Sequence, residues 1–479
     1  MKLQGGYLPR VPGQPAATVR EIAVPARLEF PLDGRGLRYT PAVNHGERVA
    51  FGAPLAWAET GGGRVALPAP ASGRAFITPA GKQSPPVISL DVEDPTPRAV
   101  APALAPDKAD PKAVRQALAA GGVWHLLYSS KTGGVPALDG SEAPARIIVS
   151  FIATEPFRAS GETVIGAARD RIAAGLRFLP RLLADSGTIH LVAAGGAKLA
   201  EELLTLAAGN PRIRVEQMTN RYPAEHPRVL CRALRRQEGG ALGPRDTIWV
   251  LNAQAAQAVG DCLASGLPLH ERLMALGGPG FTNPHHVRAR IGTPVSRLLP
   301  PEPFAGDTLL LRGGLFRGEP ADAAADAVDA SDDAFFAMPR SAEREFMGFV
   351  ALGNDRVSIL PCFLSALTGA KDRHLSATLR GEVRPCIACG LCEDLCPMGL
   401  MPQVIHRFLY RDALDEAAEA GIHLCIGCGL CSYACPSKIE LRHQFAEAQE
   451  RLRLEREQLA AQADAPAHSP TQSNEALRK

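Results

Sequence analysis

Cys386-Ile387-Ala388-Cys389-Gly390-Leu391-Cys392-Glu393-Asp394-Leu395-Cys396-Pro397 is followed, after a spacer, by Cys425-Ile426-Gly427-Cys428-Gly429-Leu430-Cys431-Ser432-Tyr433-Ala434-Cys435-Pro436. Both stretches read C-x2-C-x2-C-x3-C-P, a run that ligates iron–sulfur clusters. Three thiolates in a tight loop wrap three corners of a cube. The fourth, on the turn before a proline, points away and ligates the other cluster. The spacing therefore assigns Cys386, Cys389, Cys392 and Cys435 to one [4Fe–4S] cluster, and Cys425, Cys428, Cys431 and Cys396 to a second. The competing reading is a pair of structural zinc sites, which prefer two ligand pairs set well apart. Gly390, Gly427 and Gly429 are small enough for backbone N–H groups to approach the cluster sulfurs.

Outward from these motifs, Leu400, Val404, Ile405, Phe408 and Leu409 recur at helical spacing, so the spacer over 398–415 is expected to be helical. A long helix is expected over 441–459, with Glu447, Glu450, Arg451, Arg453, Glu455 and Arg456 forming pairs on a solvated face. The helical spacer points to an α-helical ferredoxin domain over 341–459 rather than a compact two-cluster ferredoxin with short strands. The polar tail over 460–479 reads as disordered.

The chain has 479 residues, enough for three or four domains, with 46% hydrophobic and 21% charged residues. A net charge of +2 provides no global field to recruit nucleic acid. No run approaches the ~18 apolar residues of a membrane span, and the first residues lack a signal-peptide core. Eight of the 11 cysteines lie in the two motifs. Thiolate clusters need a reducing compartment, which places the protein in the cytoplasm. Cys231, Cys262 and Cys362 are isolated and read as buried small hydrophobes.

Residues 1–100 are rich in Pro and Gly with short apolar strands. Gly46, Val49, Gly52 and Leu55 form one turn pattern, and Ala69, Ser72 and Gly73 a second. The pair looks like a barrel-sandwich hybrid of the biotinyl/lipoyl type. Such carriers modify a Lys on the hairpin between the turns, and residues 59–68 contain none, so a structural role is expected. Residues 101–284 alternate. Helices are expected from Asp110-Pro111 through Ala120, over 164–183 and from Ala197, with strands at 146–152, 188–192, 212–215 and 247–251. This alternation predicts a parallel, Rossmann-like sheet. Residues 285–340 fit a small β-grasp domain, with a loop over 321–333. The expected fold is thus multidomain, α/β and β, with an α-helical C-terminal domain.

One loop is a candidate for phosphate. Gly121, Gly122, Lys131, Gly133 and Gly134 supply glycines and a cation that would suit backbone N–H binding. The loop is neither G-x-G-x-x-G nor a Walker loop.

The order barrel-sandwich, Rossmann-like, β-grasp, twin clusters resembles the C subunit of the Rnf ferredoxin:NAD oxidoreductase. Cys396-Pro397-Met398-Gly399-Leu400-Met401-Pro402 and Cys435-Pro436-Ser437-Lys438-Ile439 look like that protein's cluster motifs. The body is similar to the A subunit of the sodium-translocating NADH:quinone oxidoreductase, Nqr. The matching pieces are Gly122-Val123-Trp124, residues 131–136, Thr154-Glu155-Pro156, Trp249-Val250-Leu251-Asn252 and residues 344–350. The Rnf protein is taken to bind FMN and NADH on a G-x-G-G-A-x-F-P-T loop. Here residues 125–134 depart from it, and the Nqr protein lacks both the clusters and the flavin loop. The resemblance implies an electron-transfer subunit on the cytoplasmic face of the inner membrane, in an Rnf/Nqr-type complex with membrane-embedded and soluble subunits. It has no membrane span of its own. Two alternatives stay open. In one, the chain itself oxidises NADH through FMN, with Glu155 and the 121–134 loop as the site. In the other, it is a soluble adaptor for a cytosolic reductase.

Overall fold

The computed structural model describes residues 1–34, 37–81, 85–340, 364, 367, 375–378 and 382–463. Two compact units emerge, Met1–Gly381 and Glu382–Lys479. The Nqr-like segment 344–350, Cys362 and the tail beyond 463 lie outside the described residues.

The first unit begins with β1 (Ala16–Glu21) and then a strand-rich region. This comprises β2 (Arg27–Pro31), β3 (Asp33–Gly34), β4 (Leu37–Pro41), β5 (Glu47–Val49), β6 (Pro54–Thr60), β7 (Gly63–Pro68), β8 (Ser72–Thr78) and β9 (Val87–Asp94). They form two four-stranded sheets, β2-β9-β8-β5 and β3-β4-β6-β7. Alternation builds the interior: Leu28 and Phe30 of β2, and Ile88 and Leu90 of β9, point inward while their neighbours face out. The β6–β7 hairpin, where carrier domains bear their lysine, is occupied by packing. The Leu138 N–H donates to the Gly61 carbonyl at 2.8 Å. A Cβ on Gly62 would lie 2.7 Å from Asp139 Cβ. A tip held this way cannot swing.

The α/β region comprises α1 (Pro111–Ala120), β10 (Tyr128–Ser129), β11 (Arg146–Ser150), α2 (Gly161–Phe178), β12 (Thr188–Ala194), α3 (Ala197–Ala207), β13 (Ile213–Met218), α4 (Pro227–Glu238), β14 (Ile248–Asn252) and α5 (Ala253–Ser265). Asp110 caps α1 by accepting from the Ala113 N–H, with Pro111 at the first helical position. The sheet order is β10-β14-β11-β12-β13. β11 to β14 are parallel and β10 is antiparallel. The chain steps outward from β11 to β13 and then returns to the other side of β11 as β14. The direction of winding therefore reverses between β11 and β14, and such a reversal leaves a crevice at the carboxyl ends of the strands. α2 and α5 cross on glycines: a Cβ on Gly175 would meet the Ala256 carbonyl at 1.9 Å, and one on Gly260 the Arg171 carbonyl at 2.1 Å.

β15 (Glu271–Gly277), β16 (His285–Arg290), β17 (Thr308–Arg312), β18 (Glu319–Pro320) and β19 (Ala334–Pro339) join β1 in a mixed sheet, β1-β16-β15-β19-β17-β18. This departs from the boundaries read from the sequence. β15 lies in the stretch given to the α/β domain, and β1 in the stretch given to the barrel, yet both pair with β16. Met274 and Leu276 of β15 and Val287 of β16 share one core, which sequence order conceals.

The regular structure of the second unit's described residues is all helical: Leu391–Asp394, Pro402–Tyr410, Leu414–Glu419, Leu430–Ala434 and Leu441–Ala463, with a short 3-10 turn at Ile422–Leu424. The spacer is two helices rather than one, broken where Asp412 takes a left-handed φ of 55°. Ile405, Ala417, Ile422, Leu430 and Phe445 form its interior.

Candidate functional site

The two cysteine motifs fold alike. In each, a glycine at left-handed φ, Gly390 (79°) or Gly429 (78°), opens a short helix, Leu391–Asp394 or Leu430–Ala434, that presents the third cysteine. The Ala388 N–H points at Cys386 Sγ and the Gly427 N–H at Cys425 Sγ, each at 3.4 Å. The Leu400 N–H approaches Cys396 Sγ at 3.4 Å. Such N–H groups favour negative charge on sulfur.

Packing across the motifs then crosses the last cysteines over. The Arg384 N–H donates to the Ser437 carbonyl at 2.9 Å, and buried Ser437 Oγ donates to the Pro385 carbonyl at 2.9 Å. These bonds tie the segment after Cys435 to the start of the first motif. As a result Cys435 lines one apolar pocket with Cys386, Cys389 and Cys392. On the other side, burial pushes the Cys431 thiol up, as does negative charge on Cys428, Cys425 and Cys396, so Cys396 is within electrostatic reach of Cys431. Burial likewise pushes the Cys392 thiol up to about 11. Thiols gathered in such surroundings ionise together only against a strongly charged cation. Among the described residues no three or more His, Cys, Asp or Glu side chains close in tightly enough for a single metal ion. A [4Fe–4S] cube takes one thiolate at each of four irons, the number each quartet supplies.

The rings differ in exposure. Ile387, Ala388 and Cys389 are exposed, whereas their counterparts Ile426 and Gly427 are half-buried and Cys428 is buried. Gln403, which the motifs do not mark, stands at the first ring, with Oε1 3.4 Å from Cys392 Sγ and Nε2 2.6 Å from Glu393 Oε2.

The five residues of the phosphate-loop expectation, with Glu155 of the FMN and NADH alternative, fall in three places. The Gly121 carbonyl accepts from the Leu269 N–H at 2.9 Å, and a Cβ there would sit 2.5 Å from Cys262 Sγ. Gly122, at φ +70°, lies against Pro68. Both are packing positions. Lys131, Gly133 and Gly134 lie at the amino end of β14, where the Ser130 N–H donates to the Ile248 carbonyl at 2.9 Å. Glu155 alone follows the carboxyl end of β11, so the structure does not bring these residues together.

What lies at the carboxyl ends of β11 and β14 is an open cleft of about 200 Å³, lined by Tyr128, Ser150, Arg158, Glu225, Asn252 and Arg317 among others. Glu155, buried beside it, accepts from the Phe316 N–H (2.5 Å) and the Arg317 N–H (3.3 Å) through Oε1. Its Oε2 has no partner among the described residues. Burial, then the charge of Glu225, pushes its carboxyl up to about 7. Glu225 accepts from the Glu155 N–H at 3.0 Å and from the Thr154 hydroxyl. Arg158 Nε donates to Asp333 at 2.7 Å. Burial, with Arg317, Arg228 and Arg158 nearby, lowers His226 to about 3, and its neutral Nδ1 accepts from the Arg228 N–H at the start of α4. Sequence reading missed this cleft because its residues come from six separate segments, with no shared spacing. The strand order alone points to it. Cys231 and Cys262 are buried, and burial raises both thiols to about 12, which fits inert packing.

The chain is similar to known proteins in both of its units. Residues 109–267 match the family model described as the NqrA second alpha/beta domain, and residues 378–440 match the 4Fe-4S dicluster domain. The A subunit of the Na(+)-translocating NADH-quinone reductase of Pseudomonas aeruginosa (strain UCBPP-PA14) is 27% identical over 409 residues, covering 85% of this chain and 87% of the relative. Its counterpart in Klebsiella pneumoniae is 29% identical over 393 residues, covering 81% and 83%. A solved NAD+-reducing [NiFe]-hydrogenase in its H2-reduced state aligns over 77% of this chain and 71% of its own, at 14% identity and a TM-score of 0.40, too low to bear on fold or function. This chain therefore carries an NqrA-type second α/β domain together with a 4Fe-4S dicluster domain.

Proposed function

We propose that this protein is an electron-relay subunit of an Nqr- or Rnf-type respiratory complex, with two [4Fe–4S] clusters held by crossed cysteine quartets. One quartet is Cys386, Cys389, Cys392 and Cys435; the other is Cys425, Cys428, Cys431 and Cys396. The observation that supports the reading is that Cys435 lines the first motif's cavity with Cys386, Cys389 and Cys392, away from its own motif. A pair of independent four-cysteine sites would keep each fourth cysteine at home. Bound there, a cluster supplies one-electron storage. The chain's own part is to gather the thiolates, aim the N–H groups of Ala388, Gly427 and Leu400 at sulfur, and exclude water with Leu430, Ile405 and Phe445. No helix among the described residues is long and apolar enough to cross a membrane. In this reading the protein sits peripherally, on the cytoplasmic face, against membrane-embedded partners. Anaerobic purification with iron and sulfide quantified is the test, with about eight irons expected per chain. Unchanged iron in both Cys389→Ala and Cys428→Ala would overturn the ligand assignment.

A second reading, in which the chain oxidises NADH through FMN, is favoured by the cleft at the β11/β14 reversal, where doubly wound sheets take nucleotides. Protein purified without flavin, whose visible absorption does not bleach on adding NADH, would remove it.

A further inference from the structure

We infer that Gln449 is a positioning residue for the second cluster: its side-chain amide pins the Cys425 carbonyl and so holds the loop 425–431 in its ligating shape. This rests on the cluster reading above, and it adds a residue that lies outside both motifs.

Gln449 stands on the helix Leu441–Ala463, beside Phe445, Ala448 and Leu452, whose side chains are buried in the interior of the unit. It is itself half-buried. Its Nε2 donates to the Ile422 carbonyl at 2.9 Å and to the Cys425 carbonyl at 3.1 Å. Two carbonyl oxygens can be met only by the NH2 end of an amide, so the partners themselves fix which way the side chain faces.

The two acceptors bracket the entry to the motif. The Cys425 N–H donates to the Ile422 carbonyl at 2.9 Å, closing a turn that follows left-handed Gly421. The peptide joining Cys425 to Ile426 is planar, so a carbonyl held by Gln449 sets the direction of the whole plane. From that plane the loop brings the Gly427 N–H to 3.4 Å from Cys425 Sγ. Holding one oxygen thus steadies both a ligating residue and the donor aimed at its sulfur.

The first motif is anchored by other means. Ser437, two residues past Cys435, donates its hydroxyl to the Pro385 carbonyl. The residue two past Cys396 is Met398, whose thioether has no hydrogen to donate. Tyr410 stands as far past Cys396 as Gln449 stands past Cys435, and it is 86% exposed. The first half of the repeat therefore does not use this position, and the effect of Gln449 falls on one cluster.

A chelator takes iron when the thiolates open, so the rate of cluster loss reads how firmly each loop is held. The experiment follows that loss by EPR in the full chain, purified anaerobically and reduced, for the natural sequence, Gln449→Met, Gln449→Glu and Gln449→Lys. The signal that Cys428→Ala erases marks the second cluster, and the one that Cys389→Ala erases marks the first. Gln449→Met keeps the length without the donor, Gln449→Glu sets a carboxylate against two carbonyls, and Gln449→Lys keeps an N–H. In Gln449→Met the second signal should decay about tenfold faster, as two lost hydrogen bonds allow. Gln449→Glu should match or exceed this, Gln449→Lys should be slower than either, and the first signal should keep its natural rate throughout. Gln449→Met purified with the first cluster alone is the same effect at its limit. Natural rates in Gln449→Met and Gln449→Glu, equal acceleration or loss of both clusters, or a Gln449→Lys protein as fast as Gln449→Met each overturn the role of Gln449 and leave the cluster reading intact. Natural protein without iron overturns the cluster reading and this inference together.

Discussion

The cysteine rings and the α/β cleft hold comparable numbers of ionisable groups, and they treat them in opposite ways. In the cleft the protein pairs most of its charges with its own groups, Glu155 Oε2 excepted: Asp333 holds Arg158, and Glu225 takes the Thr154 hydroxyl and the Glu155 N–H. In the rings, thiols are gathered in an apolar setting with N–H groups aimed at sulfur, an arrangement stable in charge only with a multiply charged partner. Removing a group should therefore be ruinous in the rings and mild, or even helpful, in the cleft. A buried polar cluster by itself does not mark chemistry; what marks it is charge that the fold collects without balancing.

The largest effect tests the crossing. Cys435→Ser should cost the cluster of the first motif, and Cys396→Ser that of the second, each removing about half the iron. EPR of the two variants, compared with Cys389→Ala and Cys428→Ala, checks which signals vanish together. If Cys435→Ser erases the signal that Cys428→Ala erases, the quartets are not crossed.

A smaller effect, of opposite sign, is expected in the cleft. The Glu155 carboxyl rises from 4.5 to about 7 in the fold, so the folded state binds more protons than the unfolded state between these values. Stability is then fullest below about 4.5 and falls as pH rises through 7. Glu155→Gln should flatten this slope and stabilise the protein at pH 8 by about 2–3 kcal/mol. Thermal melts at pH 5 and pH 8 check it; a variant that melts lower than the natural protein at pH 8 would show that the ionised Glu155 has a partner.

The smallest effect sharpens the comparison between the loops themselves. The position after Cys-Ile is left-handed in both, yet it is Gly427 (φ 62°) in the second motif and Ala388 (φ 54°) in the first. A Cβ on Gly427 would meet nothing within 4 Å, so only backbone strain is at stake. Gly427→Ala should destabilise the loop by about 1 kcal/mol and Ala388→Gly should stabilise it by about the same. The rate of cluster bleaching under a chelator reads both: faster for the first variant, slower for the second.

Much of this was legible beforehand because it is local. Spacing within twelve residues decides which cysteines share one turn, so the motifs stand out in the bare sequence. Alternating apolar runs and helical periods likewise announce the parallel strands β11 to β14 and the caps of α1. The 285–340 boundary failed because β1 and β15 complete that sheet from afar, and the spacer helix failed at Asp412, where no proline or glycine warned of a break.

By itself, then, the sequence determined the ligand spacing, the alternation of strands and helices, and the absence of a carrier lysine on the β6–β7 hairpin. Only the tertiary structure decided that Lys131 and Glu155 stand at opposite ends of the sheet, that a cleft opens at the carboxyl ends of β11 and β14, that Cys389 is exposed while its counterpart Cys428 is buried, and that Gln403 reaches Cys392. The physical reason is range. Turn and helix geometry is set by neighbours along the chain, whereas exposure and contact across segments follow from burying apolar surface over the whole unit, a sum that no local window contains.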